Sequence, residues 1–289
     1  MPVLKSTCPS IEIGSMSASE NEIRLPAVAG YFYPEDTESL RHEVQQYLSL
    51  AERICAIAPK AIVAPHAGYV YSGAIAAAAY RQLESIRDRV RRVVLLGPAH
   101  RVPLRGAALS PAKRFLTPLG PVNVDLETVQ ALSHLDGVVI SALAHAQEHS
   151  LEVHLPFLQT VLDDFKLVPM LFGSAAPEWV ASILERLWGG EETLIVVSTD
   201  LSHYHDYERA KVLDARCVQA ITALDSQRIG PHDACGCVAL NGLLELAQRR
   251  GLMAQVLDVR NSGDTSGARD RVVGYGAIAF HPAEAAHVA

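Results

Sequence analysis

The stretch Ala61-Ile62-Val63-Ala64-Pro65-His66-Ala67-Gly68-Tyr69 holds the key to the architecture. Its first four residues form an unbroken apolar run, shorter than a helix and without the in–out alternation of a half-exposed strand. They read as a strand covered on both faces. A polar segment bearing an imidazole follows at once. The pattern recurs twice: Val93-Val94-Leu95-Leu96 runs into Gly97-Pro98-Ala99-His100, and Leu194-Ile195-Val196-Val197 into Ser198-Thr199-Asp200-Leu201-Ser202-His203. Ligands of open α/β sheets bind beyond the carboxyl ends of the strands. Three strand ends that bring His66, His100, Asp200 and His203 to one edge therefore predict a polar pocket there.

Outward from these strands, helical and extended patterns alternate. Asp36-Thr37-Glu38 offers cap chemistry and first-turn acid to a helix with Leu40, Val44, Tyr47 and Leu48 on one face. Gly73 to Leu83 is an Ala-rich helix suited to close approach to a sheet. Phe115 to Asp125, broken by Pro118, Gly120 and Pro121, predicts a turn or hairpin. Leu167 to Phe172 is a further strand. A helix over Val238 to Arg250 stops at Gly251 after two arginines, and Val256 to Val259 and Val272 to Phe280 complete the sheet. The alternation predicts an α/β, three-layer sandwich around a central parallel or mixed sheet. One domain is expected over 23–281, between a mobile N-terminal tail (1–22) and a C-terminal tail (282–289).

Of the 289 residues, 49% are hydrophobic and 20% charged, which excludes a disordered chain. A formal charge of −7 with no Lys/Arg stripe argues against nucleic acid as a partner. No apolar run approaches the roughly 18 residues of a membrane span, and Met1 to Ser19 lacks the apolar core of a secretory signal. Five scattered cysteines read as reduced thiols of a cytoplasmic protein. Twelve histidines are more than composition requires, and several stand in short motifs.

Cys235, in Asp233-Ala234-Cys235-Gly236, stands just before the helix near Val238, where the helix dipole would favour a thiolate. The bland alternative is a small buried residue at a cap, and Cys237 reads as core. Glu148-His149-Ser150-Leu151-Glu152-Val153-His154-Leu155-Pro156 is the densest polar cluster. It reads either as a solvated helix face or as a set of groups orienting metal-bound imidazoles. Asn261 to Gly267 reads as a flexible loop. Nucleotide-binding glycine loops, the Gly-x-Ser-x-Gly elbow and His-Glu-x-x-His are absent.

Taken in order, Ala29-Gly30-Tyr31-Phe32-Tyr33, Ala64 through Gly73, Gly97-Pro98-Ala99-His100, Glu148-His149-Ser150 to Pro156, Ser198 through His203, Ala234-Cys235-Gly236, Asn261-Ser262-Gly263-Asp264 and Val273-Gly274-Tyr275-Gly276 resemble the Memo family. Its prokaryotic members are called AmmeMemoRadiSam system protein B, and the likeness runs from about residue 24 to 280. The resemblance implies a fold similar to class III extradiol dioxygenases. It also implies metal ligands at His66, His100 and Cys235, and catalytic or pocket roles for Asp200 and His203. Phe32 and Tyr71 would line the pocket, with His149, Glu152 and His154 in the pocket or behind the ligands. Iron or copper is the implied metal, with zinc a further option. The dioxygenases carry a carboxylate where Cys235 stands, so ring cleavage does not carry over. Functional links to AMMECR-type and radical-SAM proteins are implied by the family name alone.

Three functions follow from these residues. The first is a mononuclear metal site of redox or oxygenase-like chemistry, with His203 as acid or base and Asp200 orienting it. The second is a non-catalytic pocket for a peptide or small molecule. The third is metal-free hydrolysis with Cys235 as nucleophile.

Overall fold

The computed structural model describes residues 22–282. The expected tails, 1–22 and 282–289, lie outside these residues apart from Glu22 and Pro282 at their inner ends. In chain order the strands are β1 (Ile23–Arg24), β2 (Ala61–Ala64), β3 (Arg92–Pro98), β4 (Ala107–Leu109), β5 (Arg114–Thr117), β6 (Gly120–Asn123), β7 (Val138–Ile140), β8 (Lys166–Phe172), β9 (Thr193–Ser198), β10 (His203–His205), β11 (Leu252–Asn261) and β12 (Val272–Pro282). The helices are α1 (Thr37–Leu50), α2 (Tyr69–Tyr80), α3 (Leu126–Leu132), α4 (Ala142–Ala146), α5 (Leu155–Val161), α6 (Pro177–Leu187), α7 (Tyr207–Thr222), α8 (Cys237–Arg249) and α9 (Ser262–Thr265).

Nine strands form one mixed sheet. Its centre is parallel: β2 pairs with β9, β9 with β3, and β3 with β8. Outside this core β4 runs antiparallel to β8, with β7 parallel beside it. On the other side β12 lies antiparallel to β2, β11 and β10. Every residue of β2 and β9 is buried, as apolar strands covered on both faces must be. Helix α2 packs on β2, β11 and β12 and is backed by α1 and α5, while α8 packs on β3, β9 and β11 with α6 alongside. The expected sandwich is the observed one.

Register brings the strand ends level. Ala64 faces Ser198 across β2 and β9, and Val197 faces Leu96 across β9 and β3. His66 and Asp200 therefore each stand two residues past a paired couple, with His100 just beyond on the next strand.

Local sequence explains most of the elements. Asp36 caps α1 by accepting from Ser39 N at 2.8 Å, and Leu40, Val44 and Leu48 are buried. The Ala-rich helix starts at Tyr69 rather than at Gly73, so it begins directly behind His66. Gly73 sits inside it where a Cβ would approach the Tyr47 ring to 2.7 Å, which sets how closely α1 and α2 meet. β5 and β6 form the expected hairpin, with Thr117 opposite Gly120. This hairpin and β1 make a separate three-stranded sheet. Between Asn261 and Gly267, by contrast, a flexible loop is not what forms. Asn261 accepts from Gly263 N, Asp264 accepts back from Asn261 N, and this capping box closes α9 with Asn261 and Ser262 buried. No helix of the described residues is long and apolar enough to cross a membrane.

Candidate metal centre

A cavity of about 860 Å³ opens at the carboxyl edge of the parallel strands. His66, His100, His149, Asp200, His203, Cys235, Phe32 and Tyr71 all line it. Three imidazoles crowd its floor. The ring of His66 lies 5.1 Å from that of His100 and 5.4 Å from that of His149, while His100 and His149 stack at 4.9 Å. One ring nitrogen from each lies within 4.8 Å of the others, so the three could hold a metal ion together.

Hydrogen bonds decide which nitrogens are free. Ser198 Oγ donates to Ser150 O at 2.5 Å, so its contact with His66 Nδ1 at 2.7 Å is one in which the imidazole donates. The proton is thereby held on Nδ1, and Nε2 is left with its lone pair. His100 Nδ1 lies 3.0 Å from Glu148 Oε1, and Glu148 Oε2 accepts from His100 N at 2.6 Å. Burial opposes ionisation of Glu148, yet hydrogen bonds from His100 and Ser150 prevail and hold its carboxyl down at about 2. A buried carboxylate on Nδ1 leaves Nε2 of His100 free in the same way. His149 Nδ1 is buried without a hydrogen-bond partner among the described residues. Burial holds His66 well below the ordinary imidazole range, and neighbouring His100 and His149 add to this. Burial likewise brings His149 down to about 4. Ring nitrogens left free in this way suit a Lewis acid.

Cys235 is not one of the three grouped donors but is brought beside His66 by a close approach of backbone. Gly236 N donates to Thr199 Oγ1 at 2.8 Å, and a Cβ on Gly236 would fall 2.4 Å from Ser198 O. Only glycine lets the start of α8 sit against the end of β9. Cys235 Sγ consequently stands 3.3 Å from His66 Nε2 and accepts from Asp200 N at 3.3 Å. The thiolate expected from the helix start is opposed by burial. Burial, reinforced by the nearby Asp200 charge, pushes the thiol up to about 12, outweighing what the helix start offers. Burial also raises the Asp200 carboxyl to about 7.

Other residues fall differently from expectation. Asp200 does not orient His203: Oδ1 accepts from His66 N at 2.8 Å and Oδ2 lies 4.0 Å from His66 Nε2, with no bond to His203 among the described residues. Segment 148–156 is no solvated helix face. Glu148, Glu152 and His154 are buried, and a 3-10 turn over Glu152–His154 leads into α5. Glu152 orients no imidazole and lines no part of the cavity. It pairs with Arg24 and accepts from Ala27 N, Val28 N and Tyr33 Oη, which ties down the segment carrying Phe32. His154 bonds Tyr80 Oη at 2.8 Å inside the core. Phe32 packs against His149 at 4.9 Å between ring centroids. Glu148 and Ser150, inside the cluster read as orienting groups, do take that role toward His100 and Ser198, and Ser198 joins them at the end of β9 by accepting from His66.

Fold and site together define a class: a mixed-sheet α/β protein with a histidine cluster, able to hold a metal, at the carboxyl edge of its parallel strands. Residues 24–279 match the family model described as Memo-like protein. A MEMO1 family protein of Archaeoglobus fulgidus is 34% identical over 272 residues, covering 89% of this chain and 99% of its own. One from Methanosarcina acetivorans is 37% identical over 276 residues, with 89% and 98% covered, and one from Thermoplasma acidophilum 33% over 264, with 88% and 97%. The chain belongs to the Memo-like family.

Proposed function

We propose that the cavity holds one transition-metal ion on His66, His100 and Cys235, with His149 as a further donor in reach, and that the protein performs redox or oxygenase-like chemistry on a molecule admitted beside it. The observation that carries this reading is the hydrogen bonding of two imidazoles. Both Nδ1 atoms are committed to neighbours, so both Nε2 atoms are available, and a sulfur stands 3.3 Å from one of them. Neutral imidazole with thiolate suits iron, copper or zinc, and iron or copper would supply electron transfer when bound.

The chain's own groups have separable tasks. Cys235 would give up its thiol proton on becoming a ligand, and Asp200 is the base at hand, since His66 Nε2 would be bound to the metal. Asp200, raised to about 7 by burial, can hold a proton near neutrality. His203 lines the cavity and serves as acid or base toward the admitted molecule. Phe32 and Tyr71 provide apolar walls. A metal-free thiol nucleophile gains support from the His66–Cys235 contact, but a thiol raised to about 12 is a poor nucleophile at neutral pH.

Anaerobic purification followed by elemental analysis tests the proposal. About one equivalent of a transition metal per chain is expected, lost in His66→Ala. Less than about a tenth of an equivalent, unchanged by that substitution, would overturn it.

A further inference from the structure

Two guanidinium groups line the cavity without any part in holding a metal. Arg101 follows His100 directly and lines the cavity beside it. Arg271 precedes β12, its Cζ 5.2 Å from the centroid of the Tyr204 ring. Both are exposed, and neither has an ion pair among the described residues. Arg24, Arg87, Arg89, Arg92 and Arg250, for comparison, each hold a carboxylate.

The cavity cannot neutralise these charges itself. Among its described lining residues Asp200 is the one carboxylate, and it is committed to His66. A chain of net charge −7 thus carries a cationic wall at this one mouth. Aromatic surface adjoins it: Tyr71 and Tyr204 line the same cavity and are 40% and 64% exposed. Tyr204 holds φ +63°, a left-handed conformation rare for an aromatic residue, and in it the ring lies under Arg271. A guanidinium fork recognises carboxylate and phosphate by paired hydrogen bonds, and a flat ring recognises a flat ring. The volume suits a molecule of drug size rather than a bare ion.

We infer that Arg101 and Arg271 are the anion-recognising pair of this cavity, and that the molecule it admits is a small organic acid whose flat body lies against Tyr71 and Tyr204. The inference rests on the cavity being the functional site, as proposed above, but not on the identity of the metal.

Calorimetric titration of the full chain with benzoate, neutral benzamide and inorganic phosphate tests it. Benzoate is expected to bind at least about tenfold more tightly than benzamide, and Arg101→Ala/Arg271→Ala to abolish that margin. Benzoate binding tighter than phosphate assigns a carboxylic acid; phosphate binding tighter assigns a phosphoryl head on the same pair. Equal affinity for benzoate and benzamide, no binding of either anion below about 10 mM, or a double variant that keeps the margin would each overturn the inference. Metal content measured on the same samples separates the two readings. Metal-poor protein that still prefers benzoate loses the metal assignment and keeps this one, and metal-loaded protein indifferent to charge does the reverse.

Discussion

At His66 the placement of one proton decides what the side chain can do. Ser198 spends its own hydrogen on Ser150 O and must accept from Nδ1, so Nε2 meets Cys235 as a base. For the sulfur beside it, burial disfavours the thiolate and the Asp200 charge adds to this. Free cysteine alkylates through its thiolate, near a pKa of about 8.5, whereas this thiol is pushed up to about 12. Cys235 in chelator-treated protein should therefore react with iodoacetamide at neutral pH at least about a hundredfold more slowly than free cysteine. Peptide mapping after timed alkylation measures this, and labelling at the rate of free cysteine would revive the nucleophile reading.

At the scale of elements, one buried carboxylate gathers much of the segment before α1. Glu152 pairs with Arg24 and takes the backbone N–H groups of Ala27 and Val28 and the hydroxyl of Tyr33. Arg24 also donates to Glu148 O and His145 O, so it joins this segment to the turn that leads to His149. Removing one partner leaves a buried charge uncompensated. Glu152→Ala should cost about 3–5 kcal/mol in urea unfolding. A loss below about 1 kcal/mol, the range of an exposed pair, would show that the clamp does not hold the segment.

For the whole molecule, buried histidines link stability to pH. Burial brings His145 down to about 4 and His154 to about 3. The unfolded chain takes up these protons from about pH 6.5 downward, so below that pH it binds more protons than the folded state. The stability they contribute is complete above about pH 6.5 and is lost progressively as pH falls toward the two folded values. The urea midpoint should therefore drop steeply between roughly pH 6.5 and pH 4, and a midpoint constant over that interval would contradict the assignment.

The sequence by itself determined the strands that matter and the residues that end them. Apolar runs such as 61–64 and 194–197 are legible because a strand buried on both faces excludes polar side chains at every position. It also marked the imidazoles, since a histidine just past such a run has one edge of the sheet to occupy. The role of Glu152 and the protonation of Cys235 were not legible. Each depends on partners distant in sequence: Glu152 meets Arg24 128 residues away, and Cys235 meets His66 169 residues away. Spacing along a chain carries local chemistry. Burial, tautomer and charge are set by what the fold brings alongside, and only the tertiary structure decided those.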